Sequence, residues 1–445
     1  MNNDILHIIG AGLAGSEAAW QAAKAGCRVR LYEMKPEVYT PAHHYGGFAE
    51  LVCSNSLRSA QMTNAVGLLK EELRLLGSLI MEAADATAVP AGAALAVDRY
   101  RFSDYVTEKL RSHPNIEIVN GEVTALPEDG IVIVASGPLT SDALAEHIAE
   151  RIGADYLSFF DAAAPIVEAS TINMEKAYYA SRYGKGEASY INCPMEKEEY
   201  DRFYEALITA EEAPLKEFDR ESQSAPTVFE GCMPVEVMAK RGRDTLLYGP
   251  LKPVGLPYPG TAKEPYAVIQ LRQENTEKTM YNLVGFQTHL TFEAQRRVFR
   301  MIPGLENAEF LRYGVMHRNT YLNSPQLLSP SYALRQEPRV FFAGQMTGVE
   351  GYVESTSSGL LAGWNAVLAM RGKAPFLPEA VTAIGALSRY VSDPNVAVFQ
   401  PMNANFGLVT PLGHKVKGGK AARNLALAER SLAYLREVIP TVDLG

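Results

Sequence analysis

Ile5-Leu-His-Ile-Ile-Gly-Ala-Gly-Leu-Ala-Gly15 decides the fold. A short apolar run meets Gly10, Gly12 and Gly15 in the spacing G-x-G-x-x-G. An alanine-rich helix is predicted from Ser16 to a stop at Gly26. Arg28-Val-Arg-Leu-Tyr-Glu33 then reads as a second strand ending in an acid. The glycine pattern alone is common. Strand, glycine turn, helix, strand and terminal carboxylate within about 30 residues specify a dinucleotide-binding βαβ unit. Gly10 permits the tight turn, Gly12 lets backbone N–H groups approach a pyrophosphate, and Gly15 lets helix and strand pack closely. Ala11, Leu13 and Ala14 complete the candidate loop, and the helix N-terminus supplies partial positive charge to the phosphates. Glu33 is expected to accept hydrogen bonds from the adenosine ribose hydroxyls and to repel a 2′-phosphate.

Two later segments favour FAD over NAD as the resident dinucleotide. Gly130-Ile-Val-Ile-Val-Ala-Ser-Gly137 reads as a buried strand ending in small residues. Arg339-Val-Phe-Phe-Ala-Gly-Gln345 reads as another, followed by a glycine-rich turn and a helix through Met370. A nucleotide fold closed by a distant strand, glycine turn and helix is the arrangement of two-dinucleotide flavoproteins, whose last helix points its N-terminus at the flavin ring. Gly344, Gln345, Gly351 and Tyr352 are therefore further cofactor-binding candidates. No second G-x-G-x-x-G follows an apolar strand in mid-chain, so a separate nicotinamide domain of the glutathione-reductase type is not expected.

Between these segments the texture changes. There are tyrosine-rich pieces, an acidic helical region over 196–217, a turn-rich stretch over 249–260, and alternating runs at Tyr266–Arg272 and Tyr281–Gln287 that read as strands. The expected fold class is α/β, a Rossmann-like FAD-binding domain of the glutathione-reductase type with an inserted α+β domain. The expected boundaries are 1–160 for the first part of the FAD domain, 161–325 for the insert and 326–445 for the second part.

The chain has 445 residues, 47% of them hydrophobic and 21% charged, which suits a folded protein of two or three domains. Four cysteines, at 27, 53, 193 and 232, show neither C-x-x-C nor metal-ligand spacing. A zinc site, any other metal and a disulfide framework are not expected. The strand-like start leaves no room for a signal peptide, and no apolar run approaches the ~20 residues that span a bilayer. The expectation is a soluble, cytoplasmic protein with reduced thiols and no membrane association. The net charge of −9 requires any nucleic-acid partner to meet a local basic patch.

Cys53 stands out within Glu50-Leu-Val-Cys-Ser-Asn-Ser-Leu-Arg58. Its small polar neighbours suit an exposed turn better than a core. Cys232, in Phe229-Glu-Gly-Cys-Met-Pro234, follows a glycine, which likewise suits an exposed turn rather than a core. Cys27 sits at a helix-to-strand joint and reads as packing; Cys193 reads as structural.

Four segments together carry a family resemblance: Gly10–Gly15, Leu51–Ser56, Phe229–Pro234 and Phe342–Tyr352. With them the chain resembles, over essentially its whole length, the folate- and FAD-dependent tRNA (uracil-5-)-methyltransferases, which methylate the T-loop uridine at tRNA position 54. Many FAD proteins carry Gly-Asp where this chain has Gly344-Gln345, and the tRNA-modifying branch is expected to have the glutamine. The resemblance implies FAD, methylenetetrahydrofolate as one-carbon donor, NADH or NADPH as reductant, and tRNA as partner.

It also implies that Cys53 and Cys232 are the functional cysteines. C5 of uracil is a poor nucleophile. A thiolate added at C6 makes C5 enolate-like, so that it attacks a one-carbon electrophile, and a base must then take the C5 proton. Two electrons reduce methylene to methyl, and reduced flavin supplies them. Cys232 is assigned the attack at C6 and Cys53 the role of base or flavin-side thiol; the reverse assignment stays open. Arg58 and the cluster Lys240, Arg241 and Arg243 are candidates to favour a thiolate.

That cluster, and a second one containing Lys415, Lys417 and Lys420, also suit tRNA phosphates. A solvated surface is the plain alternative for each. Since the T-loop uridine is stacked and paired, the enzyme is expected to extract it. His317 and Tyr321 are candidates to line the pocket, or are core residues. Competing readings are an FAD-dependent enzyme of the tRNA wobble uridine, a flavin oxidoreductase, and a tRNA-binding protein without methyl transfer.

Overall fold

The computed structural model describes residues 5–40, 42–153, 164–213, 233–275, 277–314, 321–396 and 399–445, and the backbone alone over 157–162 and 316–320. Its first sheet is parallel. Strands β1 (Ile5–Ile9) and β2 (Arg28–Glu33) pair in register from Ile5 with Arg28 to Ile9 with Tyr32. The small antiparallel sheet of β3 (Ser56–Ser59), β4 (Ala88–Val89) and β5 (Ala94–Val97) follows in the chain. Then β6 (Ile116–Asn120) joins β2, and β7 (Ile131–Val134) joins the other side of β1.

The remaining strands are β8 (Leu157–Ala162), β9 (Ile166–Glu168), β10 (Tyr178–Ala180), β11 (Tyr190–Met195), β12 (Ala267–Gln273), β13 (Met280–Leu283), β14 (Phe310–Arg312), β15 (Met316–Tyr321) and β16 (Val340–Phe342). The last closes the parallel sheet in the order β16-β7-β1-β2-β6. Strands from both ends of the sequence thus share one sheet. A second, antiparallel sheet runs β10-β11-β12-β13-β9-β14, and β8 pairs with β15.

The helix after the glycine turn spans Leu13–Lys24 and so starts before the predicted Ser16, enclosing Gly15 in its first turn. It lies against the 19-residue helix Tyr352–Met370. Their approach is closer than ordinary side chains permit. A Cβ on Gly359 would sit 2.2 Å from the carbonyl oxygen of Ala14, and one on Gly363 would sit 3.0 Å from Cα of Ala18. Small residues one turn apart on both helices let the backbones touch, and this brings the helix N-termini to one end of the sheet.

Apolar burial divides into two main cores. One combines residues between Leu6 and Ile152 with residues between Tyr321 and Leu432; the other lies between Val167 and Ala308. The acidic stretch after Glu196 forms the helix Lys197–Ile208, opened by a reciprocal capping box between Glu196 and Glu199. It ends earlier than the predicted acidic run, and 214–232 lie outside the described residues.

Candidate functional site

The glycine turn follows the carboxyl end of β1, Glu33 ends β2, Ala135 to Gly137 follow β7, and Gly344 follows β16. All of them line one cavity of about 480 Å³, at the strand ends where open parallel sheets hold ligands. The three glycines of the turn have separate causes. Gly10 has φ +98°, and a Cβ there would lie 2.6 Å from the carbonyl oxygen of Ala135; a Cβ on Gly15 would lie 1.8 Å from that of Gly10. Both are excluded by the protein itself. A Cβ on Gly12 meets no heavy atom within 4 Å, so the space it would fill belongs to the cavity.

Glu33 clamps this turn. The Ala11 N–H donates to Oε2 at 2.9 Å and the Lys35 N–H to Oε1 at 3.0 Å. Each carboxylate oxygen has a second acceptor site, and Glu33 lines the cavity. Leu13 and Ala14 line it as well. The Leu13–Lys24 helix has no acid in its first turn to offset its N-terminal partial charge. An acceptor for ribose, a helix N-terminus for a pyrophosphate and a bare Cα between them fit the adenosine-diphosphate half of FAD.

On the other side, the Gly344 N–H donates to Ser358 Oγ at 2.7 Å, and Gln345 Nε2 to Glu350 Oε2 at 2.7 Å. Gly351, at φ +115°, caps the Tyr352–Met370 helix. The Tyr352 hydroxyl accepts from the N–H groups of Cys53 at 2.8 Å and Ser54 at 3.2 Å. Burial pushes this phenol well above its ordinary pKa, so it keeps its proton. Tyr352 thereby fixes the thiol segment as well as lining the cavity.

Cys53 lines the same cavity and is half-buried. Its segment is held by residues distant in sequence. Asn55 is 0% exposed: its Nδ2 donates to the carbonyls of Val97 at 2.9 Å and Gln273 at 2.8 Å, and its Oδ1 accepts from Arg272 Nε at 3.0 Å. This corrects the expectation of an exposed turn at Asn55, which is a buried hydrogen-bonding group; Ser54 and Ser56 are half-buried like Cys53, and Arg58 is exposed. Arg272 also reaches Ser54 Oγ at 2.6 Å. Arg99 donates to the carbonyl of Leu51 and pairs with Glu274 at 2.9 Å, both side chains being buried.

Arg58 lines the cavity with φ +64°, and its guanidinium pairs with the buried Glu354. Arg312 interacts electrostatically with Cys53. Burial, then the charge of Arg99, lowers the Arg312 pKa, while Tyr352 and Cys53 oppose that shift. Sequence reasoning missed Asn55, Arg99, Arg272, Glu274 and Arg312. One charged residue in the apolar run of β12, Arg272, was the available signal.

The second wall comes from the other core and includes Arg272, Asn282, Gly285 and Gln287. Cys232 lies outside the described residues. The chain resumes at Met233, and the Val235 N–H donates to the carbonyl of Gln287 at 2.7 Å. The side chain of His317 is likewise outside them; Tyr321 packs in the first core. Cys27 is buried. Cys193 is fully buried, which pushes its thiol up to about 12.

The two basic clusters differ. Lys240 pairs with Glu212, and Arg243 with Asp201 at 2.6 Å and Glu205 at 3.4 Å; Arg241 is exposed. These carboxylates offset much of the first cluster's charge. Lys415 and Lys420 line an open groove of about 1230 Å³ with His414 and Arg423, and Lys417 is exposed beside it. Arg58 lines both groove and cavity, so the two adjoin. Among the described residues, no helix is long and apolar enough to cross a membrane.

Glycine turn, carboxylate clamp and strand-end cavity define a flavoprotein-type dinucleotide fold with a thiol on its cavity wall. The family described as Glucose inhibited division protein A matches residues 5–374. A protein of Acetivibrio thermocellus named methylenetetrahydrofolate–tRNA-(uracil-5-)-methyltransferase TrmFO is 61% identical over 436 residues, 98% of this chain and 99% of that one. Its Bacillus cereus namesake is 58% identical over 439 residues, 99% and 100% of the two chains. The solved structures of Aquifex aeolicus GidA share the fold. The form II crystal gives a TM-score of 0.69 at 19% identity, covering 97% of this chain and 73% of that one. The form I crystal gives 0.70 at 17%, covering 99% and 76%. The chain belongs to the glucose inhibited division protein A family, and within it to the methylenetetrahydrofolate–tRNA-(uracil-5-)-methyltransferases.

Proposed function

We propose that this protein methylates C5 of the T-loop uridine at position 54 of tRNA, with methylenetetrahydrofolate as carbon donor, FAD as redox cofactor and NADH or NADPH as the source of electrons. The observation that carries this reading is that Cys53 lines the same cavity as Gly12, Glu33 and Gln345. FAD, when bound, supplies the reducing equivalents that take the one-carbon unit from methylene to methyl. Gly10, Ala11, Gly12, Leu13, Ala14, Gly15 and Glu33 hold its adenosine diphosphate. Gly344, Gln345, Gly351 and Tyr352 take the flavin side.

The thiols carry the base chemistry. Cys232 adds as thiolate to C6 of uracil, and C5 attacks the one-carbon unit. Cys53 takes the C5 proton as the carrier nitrogen leaves with the electrons of its bond to the one-carbon unit, so that an exocyclic methylene stands at C5. A hydride, which reduced FAD would supply, makes it methyl, and the C6–S bond then breaks with return of its electrons to sulfur and restoration of the C5=C6 double bond. The chain resumes at Met233, and the Val235 N–H donates to the carbonyl of Gln287, which lines the cavity; this supports giving the thiol that precedes them a role there. Arg312 favours a thiolate at Cys53. Residues 1–160 and 326–445 form the FAD domain and 161–325 the insert that closes over it. Lys415, Lys417 and Lys420 take tRNA phosphates beside the cavity, with Lys240, Arg241 and Arg243 as a second, weaker patch.

The test uses the purified flavin-loaded protein with tRNA, NADH or NADPH, and methylenetetrahydrofolate labelled in its one-carbon unit. A parallel reaction contains labelled S-adenosylmethionine. Label in 5-methyluridine from folate alone is expected, with loss in Cys53→Ala and Cys232→Ala. Label from S-adenosylmethionine, or methyl transfer retained in both variants, would sink the reading.

A further inference from the structure

The cavity wall built by the second core holds a buried acceptor. Asn282, on β13, is the register partner of Arg272 on β12 and lines the cavity. It is 3% exposed. Its Nδ2 donates to Oε1 of Glu274, and its Oδ1 has no hydrogen-bond partner. A buried amide oxygen is costly in a native protein unless something in the working complex pairs with it.

The neighbours fix which way this carboxamide faces. Glu274 Oε2 accepts from Arg99 Nε at 3.0 Å and Nη2 at 2.9 Å. A carboxylate paired in this way offers only acceptors. Asn282 must therefore turn its NH2 group to Glu274, and its carbonyl oxygen is left for another donor. Arg272, across from it, reaches the residue that follows Cys53. The lone acceptor and the thiol segment are thus tied to one stretch of the cavity wall.

We propose that Asn282 determines base specificity by accepting the ring N3–H of the target uracil. This rests on the reading of the cavity as the site of uracil methylation. Uracil presents a donor at N3. Cytosine presents a lone pair there, which would meet the Asn282 oxygen with no proton between them. The pterin ring of folate carries a similar N–H beside a carbonyl, so the shared chemistry is a cyclic-amide N–H, and the experiment must separate the two sources.

The experiment measures kcat/KM of the flavin-loaded enzyme on tRNA transcripts carrying U or C at the target position, and separately KM for methylenetetrahydrofolate. Comparing the same two transcripts across variants cancels the effect of the base change on the tRNA itself. Wild type should prefer U by about 100-fold or more. Asn282→Ala should shrink that preference by about 10-fold or more, with folate KM held within about 2-fold. Asn282→Ser, which keeps an acceptor oxygen, should recover part of the preference. Bound flavin and melting temperature report on folding.

An unchanged U-to-C ratio in Asn282→Ala, at whatever overall rate, overturns the proposal. A raised folate KM with the ratio unchanged gives the acceptor to the pterin and likewise overturns it. Failure of the underlying reading is seen separately, as a wild-type protein that transfers no methyl group to the uridine transcript.

Discussion

Gly12→Ala should separate cofactor binding from folding. Gly12 has φ −69° and ψ −171°, extended backbone open to any residue, and a Cβ there meets no heavy atom within 4 Å. The ligand-free fold should therefore accept alanine and gain about 0.4–1 kcal/mol, because the unfolded chain loses freedom. In the presence of FAD the sign reverses. The new methyl group occupies the approach to the N-terminal N–H groups of the Leu13–Lys24 helix. Losing one charge-assisted hydrogen bond there costs about 1.5–3 kcal/mol, or about 10- to 150-fold in Kd. The assay is FAD titration of the stripped protein, with thermal unfolding measured with and without FAD. The stabilisation by a fixed excess of FAD should fall by the same 1.5–3 kcal/mol. Gly15→Ala is the contrast: its Cβ would lie 1.8 Å from the Gly10 carbonyl oxygen, so the ligand-free protein itself should lose stability. Wild-type FAD affinity in Gly12→Ala, or a ligand-free stability lowered by more than about 1 kcal/mol, would refute the reasoning.

Other outcomes follow from the same geometry. Asn55→Ala strands the carbonyls of Val97 and Gln273 and the Nε of Arg272; at about 1–3 kcal/mol each, denaturant unfolding should show a loss of about 3 kcal/mol or more, and a loss under about 1 would contradict the network. In a Cys232→Ala background, Arg312→Met should slow iodoacetamide alkylation of Cys53 severalfold near neutral pH, because a cation that interacts with the thiol is removed; an unchanged rate would show that Arg312 does not act on it. Burial raises Glu72 from 4.5 to about 7, against hydrogen bonds from Ser431, Ala383 and Ile384. In that window the native state binds more protons than the unfolded one, so the Glu72 contribution is complete below about 4.5 and is lost as pH rises through about 7. The stability of Glu72→Gln relative to wild type should therefore rise over that window, as read by unfolding at several pH values, and a flat difference would count against the shift. Lys415→Ala with Lys420→Ala should weaken tRNA binding and lower its salt slope by about 1–2, with FAD binding intact; an unchanged slope would remove the groove from the RNA surface.

What was legible in the sequence is what a residue imposes on its own backbone or on a neighbour in the same unit. Gly10 and Gly15 are needed because atoms one strand or one turn away leave no room for a Cβ, and Glu33 ends the strand beside the turn it clamps. Such constraints are local, and a short motif contains them. The thiol segment is held from farther off. Asn55 accepts from a guanidinium 217 residues away and donates to a carbonyl 218 residues away. No local pattern separates that from an exposed polar turn, which is why the small polar stretch suggested exposure at Asn55, where the structure has burial. Charge misleads in the same way. Lys240 and Arg243 form a basic run in sequence, but Glu212, Asp201 and Glu205 meet them in space, whereas Lys415 and Lys420 line the groove that adjoins the cavity. The physical consequence reaches the chemistry. Arg99 and Asn55 on one core meet Glu274, Arg272 and the Gln273 carbonyl on the other, beneath Cys53. The thiol is therefore positioned only when the two cores are docked, and substitutions at this junction should lower stability and methyl transfer together.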